Sequence, residues 1–298
     1  MPCTCTCRLD VFSSLGLTVP DTWSELLTAV QAVESSSKNI RGICLDAPMP
    51  GDNGGLVGII CIYYGQHVAE QRLLLLMHKL KTCAGCRSGY IVSAMAASMQ
   101  QYAGTSQGWF MDPGGVGAAP EPLMNTSAMI QALNTFALLW NASGPPAANV
   151  GCVPPGAVDD GFASGACAMT LAWDAQFKAT HSPASPTRGV LGVSLLPGST
   201  SIMPREQGGP YSSVAMVNCT SVAMCPGASP PSAGSASTPI QLVNRAPFIG
   251  DGGYYLMVNS VTGKQYTDAM LNLATWLNLP LTSWAMAVSN YTSGLSGG

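Results

Sequence analysis

Thr18-Val19-Pro20-Asp21-Thr22-Trp23-Ser24-Glu25-Leu26-Leu27-Thr28-Ala29-Val30-Gln31-Ala32-Val33 reads as an amphipathic helix with its start signals written out. Pro20 sits at the entry, where a missing N–H costs nothing. Asp21 or Thr22 can cap, and Glu25 can close a capping box with Thr22. Trp23, Leu26, Leu27, Val30 and Val33 recur at helical spacing. Ser35–Ser37 ends the pattern.

Helical periodicity returns in Tyr90–Tyr102, rich in Ala and Met, and in Asn125–Asn141. The latter places Met129, Leu133, Phe136, Ala137 and Trp140 on one face. Val68–Lys81 and Thr267–Leu279 are further helix candidates. Leu56–Tyr64, Val190–Leu196 and Tyr254–Val258 read as strands, with Pro197-Gly198 ending the second. Phe162–Phe177 combines a turn with an apolar core run reaching Trp173. Gly104–Ala119, Gly144–Pro155 and Pro226–Thr238 read as loops or connectors. Helices alternating with short strands predict an α/β fold.

Only 9% of the 298 residues are charged, 12 Lys+Arg against 15 Asp+Glu. An average soluble domain has roughly 25%. Twelve scattered cations make no basic stripe, which argues against a nucleic-acid partner. At 47% hydrophobic residues the chain is too apolar to be intrinsically disordered. The apolar run Leu56–Gly65 falls far short of the roughly 18 residues a membrane span needs. The first residues, MPCTCTCRLD, lack the basic leader and apolar stretch of a signal peptide.

Eleven cysteines and four Asn-x-Ser/Thr sequons, at Asn125, Asn141, Asn218 and Asn290, favour an oxidising, extracellular compartment. Cys219 and Cys225 are close enough to bridge a small loop. Cys83-x-x-Cys86 and the Cys3, Cys5, Cys7 run could in principle hold zinc, but their spacing matches no recognised finger. Disulfides and idle thiols are the preferred reading, with no metal or other cofactor.

Gly104-Thr105-Ser106-Gln107-Gly108 matches the G-x-S-x-G nucleophile elbow. With Asp159 or Asp160 and His181 it has the residues of a hydrolase triad. The motif needs a strand before it and a helix after it, whereas here a helix pattern precedes it. Trp109, Phe110, Trp173, Tyr254 and Tyr255 lie beside Gly or small residues at loop ends. Such rings can pack in a core, or stack on a sugar face while Asp112, Asp174 or Asp251 bonds its hydroxyls.

Arg8-Leu9-Asp10-Val11-Phe12, then Leu15-Gly16-Leu17, Val19-Pro20 and Thr22-Trp23-Ser24-Glu25-Leu26 resemble a stretch of the family 1 extracellular solute-binding proteins. These are the maltose-binding-protein-like members of the type II periplasmic-binding fold. Phe162–Met169 followed by Trp173 is similar to their F-x-x-G-x-x-A-M…W segment. Leu196-Pro197-Gly198, Gly250–Val258 and Asp268-Ala269…Trp276-Leu277 resemble further elements in order. The Cys-, Gly-, Pro- and Ala-rich version here most resembles extracellular domains of green algal proteins, some of them joined to signalling domains.

The resemblance implies two α/β lobes around a cleft that closes on a ligand, with one lobe incomplete because the chain starts almost at the Arg8 stretch. Residues 1–186 would form mostly the second lobe, with 48–79 an insertion without counterpart. Residues 187–298 would be the crossover and a remnant of the first lobe, ending in a helix. The implied function is non-enzymatic binding of a small molecule, a sugar or oligosaccharide, outside the cell or at its surface. A membrane-anchored or fused signalling domain would be the partner. Trp173 with Asp174 is the stacking candidate by resemblance, and Gly252, Gly253 and Tyr254 let backbone and ring approach the ligand. Trp109 and Asp112 are candidates on local chemistry. A serine hydrolase using Ser106 and a structural extracellular glycoprotein are the rival expectations.

Overall fold

The structure is a computed structural model that describes residues 3–36, 38–45, 88–104, 106–112, 120–143, 160–173, 175–205, 211, 214–231, 241–246 and 263–277. It divides into two compact units, residues 1–250 and 251–298. In the first, strand β1 (Cys3–Arg8) runs into helix α1 (Leu9–Leu15), then helix α2 (Trp23–Glu34) and strand β2 (Arg41–Cys44). Helix α3 (Ser88–Gln100), strands β3 (Met111–Asp112) and β4 (Glu121–Pro122), and helix α4 (Ser127–Ser143) follow. Next come α5 (Asp160–Ala163), β5 (Cys167–Trp173), α6 (Ala175–Thr180) and β6 (Leu191–Leu195). The short strands β7 (Ser201–Ile202), β8 (Val217–Asn218), β9 (Ala228–Ser229) and β10 (Val243–Asn244) are the last described elements of this unit.

The main sheet has the order β2-β5-β1-β6. β2 runs parallel to β5, while β1 is antiparallel to both β5 and β6. The period-two alternation of a strand explains which side chains go inward. Register pairs Cys5 with Leu171, Cys7 with Met169 and Ile43 with Met169, so these five share one face. That face is buried with Trp23, Leu26 and Val30 of α2, Met95 and Met99 of α3, and Met129, Leu133 and Phe136 of α4. Helices α2 and α3 both pack on α4. This is the α/β class expected from the sequence.

The α2 start is built as its sequence dictates. Thr22 caps it, accepting from the Glu25 N–H at 3.1 Å. The Glu25 carboxylate accepts from the N–H groups of Thr22 (3.0 Å) and Asp21 (2.8 Å), so orphan donors at the helix entry are satisfied from both sides. For α4, Thr126 takes that role by accepting from the Met129 N–H at 3.2 Å. α1 ends at Gly16 with φ 65°, the left-handed conformation that glycine adopts without a Cβ clash.

Gly198 of the Leu-Pro-Gly turn shows the other use of glycine. A Cβ there would sit 2.5 Å from the Asn244 carbonyl oxygen. Its absence lets three segments meet: Gly198 N–H donates to Asp21 O (2.8 Å), Trp23 N–H to Gly198 O (3.1 Å), and Ser199 exchanges both backbone bonds with Asn244. Arg245 pairs with Asp21 beside this junction.

The end of α3 would leave last-turn carbonyls without helical partners. Here distant segments supply the donors. The Asn244 side-chain amide donates to Ser98 O at 2.6 Å, Met203 N–H to Met99 O at 2.8 Å, and Gly227 N–H to Tyr102 O at 2.8 Å. The strand pairs β7–β8 and β9–β10 are thereby docked on that helix end.

Disulfides join Cys44 to Cys167 and Cys219 to Cys225, the second being the small loop anticipated above. β1, β2 and β3 were not foreseen. Leu56–Tyr64, Val68–Lys81, the pair Cys83 and Cys86, and Tyr254–Val258 lie outside the described residues. The second unit is described only at helix α7 (Lys264–Leu277), where Lys264 and Asp268 pair one turn apart at 2.6 Å. No helix among the described residues is long and apolar enough to cross a membrane.

Candidate functional site

Among the described residues, polar and aromatic side chains gather around the β3–β4 pair. Register places Asp112 opposite Glu121, and Leu123 N–H donates to Phe110 O at 2.9 Å to extend the pairing. Asp112 therefore projects from a short, fixed ribbon. Arg205 and Tyr211 reach it from the segment after β7.

Arg205 is held by both its backbone and its side chain. Its N–H donates to the Tyr102 hydroxyl at 2.9 Å, and its guanidinium donates to the Gly108 carbonyl. Nη1 lies 3.4 Å from Asp112 Oδ1, and the guanidinium stands 6.0 Å from the centre of the Tyr211 ring, within cation–π range. The Tyr211 hydroxyl donates to Asp112 Oδ2, and its backbone N–H donates to Glu121 Oε1 at 3.3 Å.

The Arg205 side chain is only 6% exposed, yet its Nε–H has no hydrogen-bond partner among the described residues. A buried guanidinium donor normally finds an acceptor, because leaving it unmet costs its full desolvation. Burial pulls the Arg205 pKa down, and the charge of Asp112 pulls it back up. The Tyr211 phenol is pushed up to about 12, first by its hydrogen bond to Asp112 and then by burial. Tyr211 therefore keeps its phenolic proton at neutral pH.

Trp109 follows Gly108, whose carbonyl accepts from Arg205. It is half-buried, packs in part on the main core, and meets Phe110 edge-on with centroids 5.6 Å apart. Of the residues expected from sequence, Asp112 is a member of this cluster. Trp173 ends β5, paired with Cys3, and its side chain lies outside the described residues. So do Asp174, Gly252, Gly253 and Tyr254.

Sequence reading missed Arg205 and Tyr211. Tyr211 follows Gly208-Gly209-Pro210, so the criterion that selected Trp109, an aromatic beside glycine, would have found it. Arg205 had no local signal, since its bonds to Gly108 and Tyr102 span 97 and 103 residues of sequence.

The nucleophile-elbow motif does not meet its structural condition. Helix α3 precedes Ser106, which is exposed in a turn, and strand β3 follows it. His181 sits at the end of α6, its Nδ1 2.9 Å from Phe177 O and its ring tilted against the Phe177 ring. Among the described residues no group of three or more His, Cys, Asp or Glu could hold a metal ion.

No family model matches the chain, and no curated protein matches it. Solved structures do. An ABC transporter solute-binding protein from Agrobacterium radiobacter K84, in complex with ribitol, is 14% identical, with a TM-score of 0.47 over 94% of this chain and 47% of its own. Another, from Agrobacterium vitis S4 with bound D-mannitol, is 19% identical, with a TM-score of 0.40 over 66% of this chain and 36% of its own. Maltose-bound MalE3 of T. maritima is 17% identical, with a TM-score of 0.40 over 66% of this chain and 38% of its own. The chain spans about half the length of these proteins or less.

Proposed function

We propose that the chain is an extracellular solute-binding module of the periplasmic-binding type, taking a neutral polyhydroxylated ligand such as a sugar or polyol. The observation that carries this reading is the Arg205–Asp112–Tyr211 cluster, with half-buried Trp109 following Gly108 in the chain. A sugar hydroxyl is both donor and acceptor. Asp112 and Glu121 supply acceptors, and the unpartnered Arg205 Nε–H supplies a donor. Trp109 and Tyr211 supply ring faces for the apolar side of the ligand. Among the described residues of the cluster, the carboxylates of Asp112 and Glu121 outnumber the one cation, Arg205, which disfavours an anionic ligand.

The order of resembling motifs, from Arg8 to Trp276, supports the family reading, and the two disulfides support the compartment. In the same reading residues 1–186 belong mostly to one lobe and 187–298 to the crossover and the other. Trp173, Asp174, Gly252, Gly253 and Tyr254 would then contribute the remaining contacts. Ligand bound between lobes shifts the population toward the closed state.

Calorimetry of the full chain against a panel of neutral hexoses, pentitols and hexitols tests this. One of them should bind saturably, and Trp109→Ala or Arg205→Gln should weaken it at least tenfold. Binding unaffected by both substitutions would move the site elsewhere. No binding to any neutral sugar or polyol would remove the ligand class. The hydrolase rival lacks the strand–turn–helix setting for Ser106. A purely structural glycoprotein would show no saturable binding at all.

A further inference from the structure

The sequons the sequence treats alike are unlike in the structure. Asn125, Asn141 and Asn218 are all exposed, and Asn290 lies outside the described residues. The hydroxyl two residues on separates them. Ser127, after Asn125, is part-buried and donates to Val214 O at 2.6 Å. Ser143, after Asn141, is 3% exposed and donates to Trp140 O at 2.9 Å. It must be so, because residues two apart on a helix point to nearly opposite sides.

Asn218 and Thr220 flank Cys219 at the end of β8. Cys219 is fully buried in its bond to Cys225, while Asn218 and Thr220 are both exposed. The alternation of an extended backbone puts both sequon side chains on the solvent side and the disulfide on the core side.

We propose that Asn218 is an N-glycosylation site of this chain, with Thr220 as its recognition hydroxyl. The donor would be a lipid-diphosphate-linked oligosaccharide. The Asn218 Nδ2 attacks the anomeric carbon, so an N–C bond forms and the anomeric C–O bond to diphosphate breaks. The amide gives up one proton, and the lipid diphosphate leaves with the electron pair. A glycan there projects away from the core and leaves the Cys219–Cys225 loop intact.

The test is peptide mapping of the chain isolated from the cells that make it, cell-associated and secreted pools together. Digestion with peptide N-glycosidase in heavy-oxygen water converts a glycosylated asparagine into a labelled aspartate. The expected result is label at position 218 in peptides that retain the Cys219–Cys225 bond, and its complete loss in a Thr220→Ala variant made by the same cells. Unlabelled Asn218 beside a closed disulfide overturns the proposal. So does label that persists in Thr220→Ala, or a chain whose Cys219 and Cys225 are reduced throughout. None of these outcomes depends on sugar binding.

Discussion

The indole of Trp23 donates to the Ser98 hydroxyl at 3.0 Å, joining α2 to α3 across 75 residues of sequence. Both residues are buried, Trp23 at 3% exposure and Ser98 at 0%. The Ser98 hydroxyl passes its own proton to Met95 O at 2.7 Å. The two single substitutions should therefore cost stability for different reasons. Ser98→Ala leaves a buried indole N–H without an acceptor, about 2 kcal/mol. Trp23→Phe leaves the hydroxyl its bond to Met95, so its cost is mainly lost packing. The indole has three more ring atoms than phenyl, which comes to about 2 kcal/mol. In the double variant no donor is orphaned, so only the packing losses remain. The double-mutant cycle should then show a coupling of about 2 kcal/mol, the cost of the orphaned donor. Urea unfolding of the four proteins, followed by far-ultraviolet circular dichroism so that the lost tryptophan does not bias the signal, measures it. Additivity within about 0.4 kcal/mol would mean that the two residues are not bonded in the folded chain. The packing of α3 against α2 would then need revision. The consequence reaches the candidate site, because α3 leads directly into Tyr102, which anchors Arg205.

Three further outcomes follow from local chemistry. Thr22→Ala should destabilise the chain by about 1 kcal/mol in the same urea assay, and Thr22→Ser should restore nearly all of it, since the capping oxygen returns. The Tyr211 phenol, pushed up to about 12 from an ordinary 10.0, holds its proton more tightly folded than unfolded. Its contribution to stability is therefore full below the unfolded value and lost as pH rises through about 12. Ultraviolet titration should show a late-ionising tyrosine that Asp112→Asn makes ionise earlier, and a titration unchanged by that substitution would refute the Tyr211–Asp112 bond. Burial pushes the Cys7 thiol up to about 11, so alkylation at that position near neutral pH should be slow in the folded chain and fast in urea. Rapid native labelling of the Cys7 peptide would place it on the surface.

Some of the molecule was readable because its determinants are local. The capping box, the 3.6-residue apolar period of α2 and α4, and the six-residue spacing of Cys219 and Cys225 each lie within a short window. Backbone geometry and loop length act on such windows directly, and the structure has them where the sequence places them. β1 lies at the boundary of legibility. Its Cys-Thr alternation is a strand period, but sulfur chemistry drew the reading toward metals and disulfides. Only pairing with β5 and β6 shows why Cys5 and Cys7 are inward.

What tertiary structure decided was every contact between segments far apart in the chain. Nothing near Arg205 foretells that it meets Asp112, nor anything near Asn244 that its side chain caps α3. The same holds for the sequons, identical as three-residue patterns. Whether the third residue faces water or core depends on whether the pattern falls on a helix or an extended strand, and on what packs there. Sequence by itself determined which short stretches become helices and which residues are apolar enough to be buried. The fold determined which polar groups meet, because such meetings depend on relative positions in space that no local window contains.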